Sequence, residues 1–540
     1  MIAPDRRYEE LIAGFDWQVP DEFNFGAMID AWATDRGRVA LYWEDEAGHT
    51  TRLTFWDLRQ ASNRAMNALA GLGLERGDPV LVMLPRIPAW HVAMIAALKL
   101  GALVIPCTST LRAKDVAYRV RHSGARGVIT TTELAEEMDR AGLELPVRVA
   151  VGGAPAGWHD WDVLLARATT TGVAVRTRSD EPALCFYTSG TTKEPKAVLH
   201  AHAYTFAHRW TGEYWLDLRR SDLHWTTSDT GWAKAAYGVL FGPWMNGLAT
   251  FMYHGRFDPE RELELLERYE ISTFCAPPTE YRVLVQQDLD RRRLPRLRHC
   301  AGAGEPLNPE VIHAWHDAFG LLIHDGYGQT ESIILAANLP ALPIRPGSMG
   351  KPFPGHDLRV IGEDGTELPA GESGDLALRG RPPSLFLEYW KNPEETAACR
   401  RGEWYLTGDR ATRDEDGYLW FVGRADDVII SAGYRIGPFE VESALLEHPA
   451  VVESAVVASP DPVRGEVVKA FVVLQPGHAS GPEVVQALQE HVKRVTAPYK
   501  YPREIEFVDA LPKTVSGKIR RVELRELERR RKTGGAQSPR

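Results

Sequence analysis

The chain has 540 residues, 44% of them hydrophobic and 25% charged, with a formal net charge of -10. This is the make-up of a globular protein with a sizeable core and length for more than one domain, which excludes wholesale disorder. The negative balance excludes a protein whose main task is neutralising nucleic-acid phosphates.

In chain order, "MIAPDRRYEELIAGFDWQVP" carries acidic residues and no apolar run, so no secretory leader is expected. "DPVLVML", "PAWHVAMIAALKLGA" and "LVIPC" then spell strand, helix and strand, the pattern of a βαβ unit. His91 and Lys99 interrupt this most apolar stretch, which falls short of the roughly 18 uninterrupted apolar residues of a membrane span. The same alternation recurs in "ATFMY", "RELELLERYE" and "STFCAP". The expected fold is α/β, with a large multi-layer N-terminal region of parallel-rich β-sheets and helices.

Beyond "GYLWFVGRADD" the texture changes. "VVESAVVAS" and "KAFVVLQ" read as half-buried strands and "GPEVVQALQEHVKRV" as an amphipathic helix, which predicts a small α+β C-terminal domain. The expected division is 1–425 and 426–540, with an exposed connection at Asp426. The closing "ERRRKTGGAQSPR" is polar and aperiodic, and a frayed tail is expected. Cys107, Cys185, Cys275, Cys300 and Cys399 are widely spaced and form no C-x-x-C pair. Buried free thiols and a reducing cytoplasm follow.

Between apolar flanks lies "YTSGTTKEPKAVLHAH", residues 187 to 202. Ser189, Thr191 and Thr192 supply hydroxyls, Gly190 permits close backbone approach, and Lys193 and Lys196 add positive charge, so the loop suits an anion. A solvated hairpin has the same composition. The loop lacks the second glycine of G-x-x-x-x-G-K-[ST], and G-x-S-x-G and H-E-x-x-H are absent from the chain. "GAGEPL" departs from G-x-G-x-x-G at its last position. Three further segments carry polar chemistry: "DGYGQTES" with Thr330 and Glu331, "YLTGDRATRDEDGYLWFVGRADD" with Asp409 and Arg424, and "LPKTVSGKIRR" with Lys518.

Together and in this order the four segments resemble the adenylate-forming superfamily, which includes acyl-CoA synthetases, peptide-synthetase adenylation domains and luciferases. The resemblance spans nearly the whole chain and is nearest to medium-chain acyl-CoA synthetases, through "DWQVPDEFNFG", "SDTGWAK", "APPTEYRVLVQQDL", "SAGYRIGPFEVESALLEHPAVVESAVVASPDPVRGEVVKAFVVL" and "VTAPYKYPREIEFV". It implies a ligase that uses ATP, Mg2+ and coenzyme A to convert a medium-chain fatty or aromatic acid to its thioester. The alternatives are an adenylation enzyme loading a carrier protein, a luciferase-like oxygenase and a non-catalytic nucleotide-binding regulator.

By the same resemblance, Thr188, Ser189, Gly190, Thr191, Thr192 and Lys196 hold the phosphates, and Glu331 ligates the metal beside Thr330. Gly302, Ala303, Gly304 and Glu305 line the adenine, with Asp325, Gly326, Tyr327, Gly328 and Gln329 completing the nucleotide site. Asp409 takes the ribose hydroxyls, Arg424 supports them, and Arg435 lies near the phosphates or the acyl carboxylate. Lys518 is the catalytic group of adenylation. Asp426 is the hinge on which the mobile small domain turns to bring up Ala432, Gly433 and Tyr434, with Arg464, Lys493, Tyr501 and Arg503 as coenzyme A contacts. Trp232 and Gly328 belong to the acyl pocket. Gly328 stands where acetate-selective relatives have tryptophan, which leaves room for a longer acid. Lys193 and Glu194 depart from the glycine-rich loop of many relatives, and Thr110 replaces a glutamine that contacts coenzyme A in vertebrate relatives.

Overall fold

The computed structural model describes residues 7–140, 142–188, 194–431, 434–461, 464–513 and 518–534, with backbone alone at 435, 533 and 534. Two large sheets dominate the chain before Arg424. The first has eight strands, with Leu103–Pro106, Pro79–Met83, Gly127–Thr131 and Val147–Val151 running parallel and the hairpin Pro182–Thr188/Lys196–Ala201 at one side. The second has nine, six of them forming the parallel run Val39–Asp45, Ala249–His254, Leu223–Thr226, Thr273–Ala276, His299–Ala303 and Ile323–Gly328. A five-stranded antiparallel sheet, including Ser373–Arg379, Trp404–Arg413 and Leu419–Arg424, packs beside them. The predicted α/β layering is therefore present.

The first βαβ unit shows how sequence dictates the local structure. Pro88 starts helix Pro88–Leu100 and Gly101, at φ 74°, ends it in the left-handed conformation that glycine adopts without steric cost. His91 and Lys99, which break the apolar run in sequence, are both fully buried. Lys99 Nζ donates to Asp30 Oδ1 and Asn63 Oδ1, each at 2.6 Å, so the buried ammonium is paired rather than solvated. No described helix is long and apolar enough to cross a membrane.

Among the described residues, no strand after Arg424 pairs with one before it. Ile429–Ser431, Tyr434–Ile436, Val451–Asp461, Gly465–Leu474 and Glu504–Phe507 form a sheet of their own, on which helices Pro438–Leu446 and Pro482–Val495 pack through Val441, Leu445, Leu488 and Val492.

Two expectations need correction. Residues 528 to 534 of the expected frayed tail belong to helix Arg521–Gly534; 535 to 540 lie outside the described residues. Its Glu528 is buried at 1% exposure, accepting from Lys469 Nζ at 2.6 Å and from the Ser459 hydroxyl at 2.9 Å. A carboxylate with such partners reads as surface charge in sequence, because the donors it meets come from distant strands. The five cysteines are free, but only four are buried; Cys399 is half-buried at the end of a short helix.

Glu528→Ala would leave Lys469 with Glu506 alone as a carboxylate partner, at 2.9 Å. Loss of one partner of a buried pair is expected to cost about 2 kcal/mol or more, read as a lower urea midpoint for the C-terminal sheet. An unchanged midpoint would contradict the pairing.

Candidate active site

The strands that flank the Ser, Thr and Lys loop, Pro182–Thr188 and Lys196–Ala201, pair antiparallel with Thr188 opposite Lys196. Ser189, Gly190, Thr191, Thr192 and Lys193 lie outside the described residues. Lys196 Nζ donates to Glu395 Oε2 at 2.6 Å and stands 5.1 Å from the centroid of the Tyr389 ring. Glu395 is fixed because Asn392 caps helix Pro393–Ala398 by accepting from the Glu395 amide. Strand Glu388–Tyr389 pairs with Lys196–Ala201, which brings Tyr389 beside the lysine.

Tyr389 also reaches the second key segment. Its hydroxyl donates to Glu331 Oε1 at 2.8 Å, while the Phe386 amide donates to the Glu331 carbonyl at 2.8 Å. The other Glu331 carboxylate oxygen has no described donor. Thr330 is held through its carbonyl, which accepts from His200 Nε2 at 2.7 Å. Burial pushes the His200 imidazole down to about 3, so it is neutral and can make only that donation. No group of three or more His, Cys, Asp or Glu converges among the described residues. A single carboxylate with a spare oxygen fits a magnesium ion held mostly by phosphates and water.

Asp409 is buried where Trp404–Arg413 pairs with Leu419–Arg424, directly opposite Arg424. Its Oδ2 accepts from Tyr327 at 2.5 Å and from Gln329 Nε2 at 2.9 Å, and its Oδ1 accepts from no described residue. Gln329 is itself oriented by donating to the Thr407 carbonyl at 2.7 Å and accepting from Tyr405 at 3.1 Å. Burial raises the Asp409 carboxyl, opposed by the Tyr327 hydrogen bond, Arg424 and Gln329.

Gly302 and Ala303 end a parallel strand beside Asp325 and Gly326. Gly326 is required by packing, since a Cβ there would lie 2.5 Å from the Trp215 ring. Gly304 turns at φ 113°, and Glu305 accepts from Thr279 and pairs with Arg282 at 3.1 Å. Burial pushes the Asp325 carboxyl up to about 8.

Lys518 enters from the C-terminal segment. Water reaches part of its side chain, but surrounding protein lowers its ammonium pKa by desolvation; Glu305 and Asp409 oppose the shift and Arg424 adds to it. The structure thus places Lys518 within electrostatic reach of Glu305, Asp409 and Arg424. Asp426 lies next along, its carboxylate 3.5 Å from both Arg424 Nε and Arg525 Nη2, and its carbonyl accepting from Arg525 Nη1 at 2.6 Å.

Of the residues assigned to coenzyme A, Lys493, Tyr501 and Arg503 come together: Lys493 Nζ lies 4.3 Å from the Tyr501 ring centroid and Arg503 Nη1 donates to its hydroxyl at 2.8 Å. Tyr434 is exposed and stacked on Tyr499 at 4.4 Å. Arg464 is exposed, its amide on Asp461 Oδ1 at 2.8 Å. Ala432, Gly433 and the Arg435 side chain lie outside the described residues. Thr110 shares a hydroxyl hydrogen bond of 2.9 Å with Thr108.

Trp232 is half-buried at the start of a short helical turn, its amide donating to the Asp229 carbonyl at 3.2 Å. At Gly328 the expected vacancy is corrected. A Cβ would lie 2.5 Å from the Ile333 carbonyl oxygen, so the backbone itself closes on this position and excludes an indole.

Three residues escaped the sequence reading. Tyr389 and Glu395 sit in "EYWKNPEET", whose Asn-Pro helix start was visible but whose neighbours were not. Lys234, at the end of "SDTGWAK", donates to the Ala303 carbonyl at 3.4 Å; burial lowers its ammonium, with Cys275 and Glu280 opposing and Lys518 adding to the effect.

A family model described as AMP-binding enzyme matches residues 29–390, and one described as AMP-binding enzyme C-terminal domain matches residues 440–518. The chain belongs to the AMP-binding enzyme family. Its relatives within that family are named as acyl-CoA synthetases and ligases. Acyl-coenzyme A synthetase ACSM3, mitochondrial, of Mus musculus is 44% identical, over 96% of this chain and 93% of its own. The uncharacterized acyl--CoA ligase YtcI of Bacillus subtilis (strain 168) is 46% identical, over 96% of this chain and 98% of its own. Among solved structures, the anthranilate CoA ligase AuaEII in complex with anthranoyl-AMP matches with a TM-score of 0.88 and 31% identity, covering 95% of this chain and 99% of that one.

The Asp325 carboxyl gives a pH test. Its ordinary value is 3.8 and its folded value about 8, so between these the folded state keeps a proton that the unfolded chain releases. Stability should therefore fall as pH rises through that window, and Asp325→Asn should flatten the fall when denaturation midpoints are compared across it. An identical slope in the variant would contradict the assignment.

Proposed function

We propose that this enzyme joins a carboxylic acid to coenzyme A in two steps at one cleft. An oxygen of the acid attacks the α-phosphorus of ATP, the bond to the bridging oxygen breaks, and pyrophosphate leaves. The coenzyme A sulfur then attacks the acyl carbonyl carbon, the bond to AMP breaks, and the thiol proton passes to solvent. The observation that carries this reading is Asp409, anchored by Tyr327 and Gln329 directly opposite Arg424, in a family whose models match both parts of the chain.

The first step sets one anion against another, so fixed donors and cations must offset their repulsion. Lys196 serves the β and γ phosphates once it leaves Glu395, and Thr188 borders the same loop. Thr330 serves the α-phosphate. Asp409, anchored through Oδ2, offers Oδ1 to a ribose hydroxyl, and Arg424 supports the sugar. Gly302, Ala303, Gly304, Tyr327 and Gln329 shape the adenine side. Glu331 would hold magnesium, which when bound supplies charge neutralisation to the phosphate oxygens. Lys518 stabilises the charge that moves from the attacking carboxylate to the α-phosphate oxygens.

Coenzyme A needs the same carbonyl after pyrophosphate departs. Rotation at Asp426 withdraws Lys518 and presents Tyr434, while Lys493, Tyr501 and Arg503 hold the cofactor's anionic end. For the acid, an aromatic substrate is supported by the likeness to an anthranilate CoA ligase. Medium-chain fatty and aromatic acids are both candidates.

Carboxylate-dependent exchange of pyrophosphate into ATP, run over a panel of acids and followed by coenzyme A addition, tests the activity. Exchange without thioester formation would favour transfer to a carrier protein, and no exchange with any acid would favour a regulator. Lys518→Ala should lower adenylation by about two to three orders of magnitude and spare thioester formation from supplied acyl adenylate. Equal loss in both steps would remove Lys518 from the role proposed. Asp426→Pro should slow the thioester step more than adenylation, as resolved by single-turnover kinetics, because proline restricts backbone rotation. Equal slowing would place the pivot elsewhere.

A further inference from the structure

At the sheet edge opposite the catalytic cleft, a cavity of about 510 Å³ opens at the N-terminal ends of Val39–Asp45, Leu223–Thr226, Ala249–His254 and the strand after Ser272. These strands are parallel, so Ala303 and the other cleft residues stand at their far ends. Arg38, Arg220 and Arg296 line the cavity, and none has an ion-pair partner among the described residues. The acids nearby are mostly spent. Asp222 accepts from Arg298 Nε at 3.0 Å and from the Arg219 amide at 2.6 Å, which leaves Glu270 at the rim.

Arg38 is held rather than waving in solvent. Its Nε donates to the Gly247 carbonyl at 2.7 Å, and its guanidinium lies 4.2 Å from the Trp32 ring centroid. Trp32 is itself fixed by donating to the Trp244 carbonyl at 2.8 Å. Gly247 adopts φ 65°, and a Cβ there would lie 2.7 Å from Arg38 Nη2 and 2.7 Å from the Trp32 ring. The fold therefore omits a side chain where one would dislodge the guanidinium. Burial and the neighbouring Arg220 both depress the Arg38 guanidinium, opposed by Asp35. Like charges assembled this way repel one another, and an anion between them relieves that repulsion. Tyr42 also lines the cavity, and its hydroxyl makes no hydrogen bond with a described residue.

We propose that this cavity binds a compact solute with two or more negative charges, carried by phosphate or carboxylate groups, through Arg38, Arg220 and Arg296. The planar guanidinium forks suit either group, so two probes separate the sources. The site is independent of the reading given to the cleft. Because pyrophosphate also suits the cleft, the titrations use the full-length Lys196→Ala chain without nucleotide.

Isothermal titration with inorganic pyrophosphate, and separately with citrate, is expected to show binding of at least one. Preference for pyrophosphate assigns a phosphate ligand, and preference for citrate a polycarboxylate. Arg220→Glu combined with Arg296→Glu should weaken that binding by about tenfold or more. Both residues are exposed, and Arg296→Gln alone, expected to weaken binding about threefold, serves if the double variant unfolds. Absence of binding by both probes up to about 10 mM, or unchanged affinity in the folded arginine variants, would overturn the site.

Discussion

Charge held in place before any ligand arrives is the constraint on which the cleft depends. Lys196 rests on Glu395, Glu331 accepts from Tyr389, and Asp409 accepts from Tyr327 and Gln329 opposite Arg424. Burying an ion without such partners costs several kcal/mol, on the order of the stability of a whole domain. Each of these contacts holds a reactive group in a fixed orientation. Tyr389 links two of them, with Lys196 over its ring and Glu331 on its hydroxyl.

The layout follows from how parallel sheets present their strand ends. Ala303, Gly328 and the segment after it emerge from one edge of the nine-stranded sheet, and the hairpin bearing Lys196 emerges from the eight-stranded one. The antiparallel sheet contributes Asp409 and Arg424, and the C-terminal segment contributes Lys518. Polar side chains from four separate structural pieces meet because each piece buries its apolar strand body elsewhere and leaves its end free for chemistry.

Much of this was legible in sequence where local physics decides. The βαβ alternation, the hairpin of Pro182–Thr188 and Lys196–Ala201 and the amphipathic helix Pro482–Val495 all follow from periodicity and from glycine and proline at element ends. What escaped were contacts across long sequence separations. Glu395 lies 199 residues from Lys196 and Glu528 lies 59 from Lys469, and nothing in either local pattern announces its partner. Gly328 taught a different lesson: a missing side chain implied open volume, whereas the Ile333 carbonyl occupies that side. The functional motifs were recognised as an ordered set resembling a family, and the family models match both parts of the chain.

If the fixed positive groups and polar anchors of this cleft receive ATP, a crystal structure of the protein with ATP and magnesium will show the triphosphate beside Lys196, with that lysine released from Glu395 and the ribose hydroxyls at Asp409. A triphosphate bound elsewhere, with the Lys196–Glu395 pair intact, would contradict it.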